Sequence, residues 1–283
     1  MKKLINDNLL DKNRLIYIDI GASGGVIPKW HGLSDNFTSI LFEPNIEAYN
    51  ALKIKKKKNE VVVNTALSNK TENLKINICE EPQSSSFYHP NRLLLDKYYN
   101  SNRFNITGVE QLKTNTLDKS LYENRVNDVD FVKIDTQGYE LKILEGSNDT
   151  LNKLIGVEVE CEFTEMYINQ PLFGDVFNFL LNKKFSLFDL KRYYWKRKNH
   201  ISNNENKGQI IFVDALFLKQ PEEIIKNFSK NKKKLIKATY IYLYYKYTDL
   251  SKIIIDYMIS KKMLDKNELD IFNKSILNID KEI

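Results

Sequence analysis

Two segments carry residues whose types and spacing could do chemistry together. Asp19-Ile20-Gly21-Ala22-Ser23-Gly24-Gly25 and Val132-Lys133-Ile134-Asp135-Thr136-Gln137-Gly138-Tyr139-Glu140 each start as a β-branched run, reach an acid, and then turn at glycine. Ligands of open α/β sheets bind outside the carboxyl ends of the strands. Two such endings, more than a hundred residues apart, predict one site assembled from two strand tips. The glycines of the first let backbone approach a ligand closely, because no Cβ intervenes. Glu43 lies 22 residues beyond Gly21, at the tip of the next strand, where an acid hydrogen-bonds the ribose of a nucleoside cofactor. The dinucleotide pattern G-x-G-x-x-G is not met, since positions 21, 23 and 26 are Gly, Ser and Val. An acid ahead of the loop suits a cofactor with an amino group and a positive charge better than a pyrophosphate, which points to S-adenosylmethionine.

The elements that must position these residues alternate along the chain. Strands are expected at 15–20, 39–42, 61–66, 130–134 and 155–161, with an extra one at 74–79. Helical stretches follow at about 27–33, 46–57, 138–146 and 171–182, the last with apolar Leu172, Val176, Phe179 and Leu180 on one face. Segments 185–190 and 210–218 read as two strands joined by a loop over 191–209, with no helix between them. The alternation predicts a doubly wound, mostly parallel seven-stranded sheet with an antiparallel edge hairpin. After Pro221 the chain has no further glycine or proline and is rich in Lys, Ile and Tyr. We therefore divide it into a domain over 1–220 and a helical extension over 221–283. The aromatic run Tyr240 to Tyr247 is expected to pack on the domain or on a second copy of the chain, as in a homo-oligomer. A surface for membrane or glycan contact is the sharper alternative.

Other groups could join the chemistry. Glu158, Glu160 and Glu162 alternate with Val157, Val159 and Cys161, so the three carboxylates share one side of a strand. An unpaired face of that kind is expensive to bury, so at least one is expected to reach the cleft, and Glu160 stands nearest the strand tip. Glu140 opens a helix, where an acid is favoured electrostatically. His89 lies in a polar, Ser-rich loop over 81–91, where an acceptor could enter and a histidine could act as base. His31 follows the glycine loop, and His200 lies in the basic-aromatic stretch Arg192 to His200. There Tyr193, Tyr194 and Trp195 could stack on sugar faces, with Arg192 and Arg197 meeting phosphate or carboxylate. Oxygen-rich Asp135 and Glu160 would suit a hard cation such as Mg²⁺, but two carboxylates make no specific metal signature, and no metal ligand is assigned.

Composition narrows the class. The 283 residues carry 43 basic and 37 acidic side chains, a net charge of +6. This balance lacks the concentrated basic patch of a nucleic-acid protein. Cys79 and Cys161 are too few and too far apart for a disulfide framework. No stretch approaches the roughly 20 apolar residues of a membrane span, and residues 1–13 hold no signal-like apolar core. The chain reads as cytoplasmic, with peripheral membrane contact left open.

Five segments in order, Asp19 to Gly25, Phe42 to Asn45, Asn64 to Ser68, Val132 to Glu140 and Val157 to Glu160, resemble the FkbM-type methyltransferase family. The segments Gln170 to Phe173 and Phe185 to Leu190 resemble its closing part. The resemblance spans residues 14–218 and implies a class I, Rossmann-like, S-adenosylmethionine-dependent enzyme of polysaccharide biosynthesis, usually O-methylating a sugar or other hydroxyl. It places Asp19, Gly21, Ala22, Ser23 and Gly25 on the methionine end of the cofactor, Glu43 with Pro44 on its ribose, and Asn64, Ala66 and Leu67 near the adenine. Asp135 then faces the transferring methyl, with Glu160 and His89 as further catalytic candidates. The other function class is a non-catalytic protein of this fold that binds glycan or a protein partner through its extension.

Overall fold

The computed structural model describes residues 8–26, 30, 37–198 and 207–280. The helix expected at 27–33, His31 and His200 lie wholly or mostly outside these residues. Strands are numbered in chain order: β1 Leu15–Ile20, β2 Phe37–Phe42, β3 Glu60–Val63, β4 Ala66–Leu67, β5 Asn73–Cys79, β6 Ile106–Asn115, β7 Phe131–Ile134, β8 Gly156–Glu162, β9 Phe185–Trp195 and β10 Gln209–Lys219. The helices are α1 Asn8–Lys12, α2 Ile46–Lys55, α3 Arg92–Leu95, α4 Leu117–Glu123, α5 Glu140–Glu145, α6 Asn148–Lys153, α7 Phe173–Asn182, α8 Pro221–Phe228, α9 Lys232–Tyr244, α10 Thr248–Ser260 and α11 Lys266–Asp280.

Among the described residues, a seven-stranded sheet runs in the order β3-β2-β1-β7-β8-β10-β9. Strands β3, β2, β1, β7 and β8 are parallel, and β10 lies antiparallel between β8 and β9. This is the expected doubly wound sheet with an antiparallel edge pair. Its central strands β1 and β7 are buried on both faces, and they read as near-continuous apolar runs for that reason. The order reverses between β1 and β7, so a crevice opens beyond their carboxyl ends.

Two expectations need correction. The third strand ends at Val63 rather than Ala66. Asn64 Nδ2 donates to the carbonyls of Glu43 and Pro44, and the Thr65 N–H returns to the Val63 carbonyl. The chain is thereby turned out of the main sheet, and Ala66–Leu67 joins a three-stranded sheet of order β4-β6-β5. The basic-aromatic stretch from Arg192 to Trp195 is the end of β9 rather than a loop. Tyr193 stacks on Phe212 of β10 with ring centroids 4.4 Å apart, which extends the hairpin beyond its predicted length.

The two faces of the main sheet carry different chemistry. One is apolar throughout, with Ile18, Ile20, Val132, Ile134, Val157 and Val159 packed under α5 and α7. On the other, aromatic residues occupy the first half of the strands and acids the tips. Tyr17, Trp30 and Phe131 share one core with the helices from α8 onward, and Trp30 stacks on Tyr244 at 4.5 Å. Tyr240 and Tyr242 are buried, so this part of the aromatic run is interior rather than a membrane or glycan surface.

An ionic layer fastens the extension to the sheet. Asp130, fully buried just before β7, accepts the Ile16 N–H and pairs with Lys234 at 2.7 Å and Lys237 at 2.9 Å. Asp128 pairs with the same two lysines at 2.9 and 3.0 Å. Removing one side of a buried pair strands the other charge. Asp130→Ala is therefore expected to cost about 3–5 kcal/mol of unfolding free energy in urea titration. Adding Lys234→Met to it should cost less than the sum of the two. A loss within the scatter of ordinary surface substitutions would show that this layer does not hold the extension.

Candidate active site

A cleft of about 490 Å³ opens at the carboxyl ends of β1, β2, β7 and β8, a volume ordinary for a small-molecule site. Its floor is set by register. β1 and β7 are parallel neighbours with Asp19 opposite Lys133, so Asp19, Lys133 and Asp135 project from one face of the sheet. Lys133 Nζ lies 3.0 Å from Asp135 Oδ2 and 4.0 Å from Asp19 Oδ1. Burial disfavours the ammonium charge, but Asp135 and Asp19 outweigh it and raise its pKa above the ordinary lysine value. Burial raises Asp19 to about 6 against the lowering effect of Lys133. Tyr17 Oη donates to Asp19 Oδ2 at 3.2 Å, whereas Oδ1 is buried and accepts no hydrogen bond from the described residues.

The glycine loop is pressed onto both neighbouring strand tips. The N–H groups of Gly21 and Ala22 donate to the Phe42 carbonyl at 3.1 and 3.2 Å, and Gly25 closes on the Ala22 carbonyl at 2.7 Å. Gly21 has φ +82°, and a Cβ there would stand 1.9 Å from the Asp135 carbonyl oxygen. No other residue meets both the conformation and the approach. Gly21, Ser23 and Gly25 line the cleft, while Ala22 is buried behind it. Glu43 is buried, which raises its pKa, and Oε1 accepts the Asn45 N–H at 2.8 Å. Pro44, Ala66 and Leu67 line the same end. Asn64, expected near the adenine, is instead a brace for the Glu43–Pro44 backbone.

At the other strand tips Gln137 makes the connection. Its Nε2 donates to Asp135 Oδ1 at 3.2 Å and to Glu160 Oε1 at 3.0 Å. Its φ is +58°, with Gly138 at +92°, a sparsely populated conformation for a side-chain-bearing residue. Three contacts hold it there: Ser86 Oγ on its carbonyl at 2.7 Å, Tyr167 Oη on its Oε1 at 3.1 Å, and the turn around Glu140. Glu140 Oε1 accepts from Thr136 N, Thr136 Oγ and Gly138 N at 2.7, 3.1 and 3.2 Å. Glu140 thus organises the turn from inside, buried and pushed up to about 7 by that burial. Burial and the nearby Asp135 raise Glu160 well above the ordinary carboxylate range.

The three alternating acids of β8 part company. Glu158 accepts from Tyr245 Oη at 3.3 Å beneath the site, Glu160 lines the cleft, and Glu162 is buried beyond it. His89 is not brought to the cleft: it is exposed, with Nδ1 3.2 Å from the Pro90 carbonyl. Trp195, expected as a sugar-stacking ring, lines the site, and so do Lys133, Gln137, Arg103 and Met166, for which sequence reasoning offered no separate role. Among the described residues, no group of three or more His, Cys, Asp or Glu is placed to hold a metal ion.

Gly21→Ala is expected to lower the unfolding free energy by about 2 kcal/mol or more, combining backbone strain with displacement of the Asp135 carbonyl. Denaturant unfolding at fixed pH measures this, and an unchanged midpoint would contradict the described packing.

Residues 19–187, well over half of the chain, match the family model described as the Methyltransferase FkbM domain. No curated protein matches the sequence. Among solved structures, the precorrin-6y C5,15-methyltransferase of Geobacter metallireducens aligns at 14% identity over 77% of this chain and 93% of its own, with a TM-score of 0.39. The magnesium protoporphyrin IX methyltransferase of Synechocystis aligns at 8% identity over 75% and 74%, TM-score 0.37. An S-adenosylmethionine-dependent methyltransferase of Anabaena variabilis aligns at 10% identity over 72% and 77%, TM-score 0.36. These likenesses are remote, whereas the family match runs from the acid of the first strand tip to the start of the closing hairpin. The chain belongs to the FkbM methyltransferase family.

Proposed function

We propose that this protein moves a methyl group from S-adenosylmethionine to a hydroxyl oxygen, the acceptor being a sugar of a surface glycan or of a glycosylated metabolite. One observation carries the reading: Asp19 Oδ1 is buried at the β1 tip, directly beside the glycine loop, with no hydrogen-bond donor among the described residues and Lys133 no nearer than 4.0 Å. A buried carboxylate oxygen without a hydrogen bond is costly, and an ammonium group from a ligand would complete it. Asp19 then takes the amino group of the methionine end, and the backbone of Gly21 to Gly25 lies against it. Glu43 accepts from the ribose hydroxyls, and Ala66 and Leu67 cover the adenine. When bound, S-adenosylmethionine supplies an electrophilic methyl carbon on a sulfonium centre.

A sugar hydroxyl is a poor nucleophile until a base takes its proton. Asp135 is held by Lys133 at 3.0 Å, so it serves best as an acceptor that orients the hydroxyl. Among the described residues Glu160 forms no salt bridge, and burial and Asp135 raise it well above the ordinary carboxylate range. Glu160 is therefore the group that takes the proton. Gln137 keeps the two carboxyl groups in fixed relation, which is the positioning that such a transfer depends on.

Two outcomes are expected. Calorimetry should show S-adenosylmethionine binding that weakens roughly tenfold between pH 7 and pH 5, because at pH 5 an acid titrating near 6 is about nine-tenths protonated. Asp19→Asn should remove that dependence, and a pH-independent affinity in the unmodified chain would contradict the role of Asp19. With an acceptor in hand, Glu160→Gln should lower kcat by about 10²–10⁴ while cofactor affinity stays within a few fold. The rate of the unmodified chain should rise with pH through a value well above the ordinary carboxylate range. Equal loss of binding and turnover in Glu160→Gln would reject the assignment.

A further inference from the structure

The half of the cleft away from the glycine loop holds a cation that nothing in the proposed chemistry uses. Two basic side chains line the cleft, Lys133 and Arg103. Lys133 is committed to Asp135 and Asp19. Arg103 is not committed in this way: its Nε is buried and meets no acceptor among the described residues. The guanidinium is also fixed in place, with its central carbon 4.7 Å from the ring centre of Phe104 and 4.9 Å from that of Trp195. Trp195 is in turn locked edge-on against Tyr98 at 5.4 Å and Phe212 at 6.2 Å. Asp96, one of the two acids nearest in sequence, pairs with Arg92, and Glu80 is turned away onto Asn102 and Asn105.

A guanidinium oriented by two rings, with its Nε buried and no salt bridge to a carboxylate among the described residues, is the arrangement that recognises a planar or tetrahedral oxyanion. The neighbouring indole offers a flat apolar face of the kind on which sugar rings stack. Apart from Lys133, everything else charged along the cleft, namely Asp19, Glu43, Glu81, Glu110, Asp135 and Glu160, is acidic and would repel an anion. We propose that the acceptor carries an anionic oxygen group, a phosphate or a carboxylate, which Arg103 binds while the adjoining ring rests on Trp195. This deepens the methyl-transfer reading and rests on it only for calling the ligand the acceptor. A phosphate would come from a sugar phosphate or nucleotide sugar, and a carboxylate from a uronic acid.

The test uses the full chain saturated with S-adenosylhomocysteine, titrated with glucose 1-phosphate, glucuronate and glucose, with tryptophan fluorescence and heat as readouts. At least one anionic probe should bind roughly tenfold or more tighter than glucose, and which one does so separates phosphate from carboxylate. Arg103→Gln should erase that preference while leaving S-adenosylhomocysteine affinity within about twofold, which also shows that the variant is folded. Arg103→Lys, which keeps the charge but not the fork, should retain part of the preference. Equal affinity for all three probes, or an anionic preference that survives Arg103→Gln, would overturn the proposal. Repeating the titration without S-adenosylhomocysteine separates the two readings. A chain that fails to bind S-adenosylhomocysteine yet prefers anions through Arg103 loses the methyl-transfer reading and keeps the anion site.

Discussion

The site depends on one ammonium group placed between two carboxylates. Asp19 and Asp135 end adjacent parallel strands, and parallel pairing turns both side chains to the same face of the sheet. Burial pushes the pKa of Asp19 up, and the nearby Asp135 adds to the effect. Lys133 lies in register with Asp19 and two residues before Asp135, and it meets both. Its ammonium charge lies against both carboxylates and offsets their mutual repulsion. Glu160, one strand further from Lys133, accepts from the Gln137 amide, and burial together with the nearby Asp135 raises its proton affinity.

The same sheet face explains the helical extension. Toward the starts of the strands it presents Tyr17 and Phe131, and these pack with Trp30, Tyr244 and Tyr245 into one aromatic layer. Below that layer the Asp130 pairs with Lys234 and Lys237 close the face. Two phenol groups carry the contact up to the acids, Tyr17 Oη on Asp19 and Tyr245 Oη on Glu158. The extension thus supplies part of the rigid floor on which the strand-tip acids are set. A site of this kind needs its first contacts held within a fraction of an ångström, and the aromatic layer is the means.

Much of the fold and of the glycine-loop end of the cleft was legible because it follows local rules. Buried parallel strands read as apolar runs, and a glycine must follow Asp19 where the backbone takes a positive φ against Asp135. Glu43 announced itself by its place at a strand tip. The acceptor side was legible only in part. Lys133 looked like one charge inside a strand until register placed it opposite Asp19. Gln137 belonged to a recognised motif, but its role needs Ser86 and Tyr167, more than twenty residues away on either side. Arg103 lies in a single 3₁₀ turn, Ser101–Phe104, before β6, a strand whose mostly exposed residues, Val109 among them, give no clear period-two signal. His89 was misleading for the opposite reason. A histidine in a polar loop is conspicuous in sequence, yet the loop carries its serines to the cleft and leaves the imidazole outside.

The most direct measurement is a crystal structure of the full chain with S-adenosylhomocysteine. The account predicts the ligand amino group within hydrogen-bond distance of Asp19 Oδ1, the ribose hydroxyls on Glu43, and the sulfur turned toward Asp135 and Glu160. A nucleoside seated elsewhere, or Asp19 Oδ1 still without a donor in the complex, would contradict it.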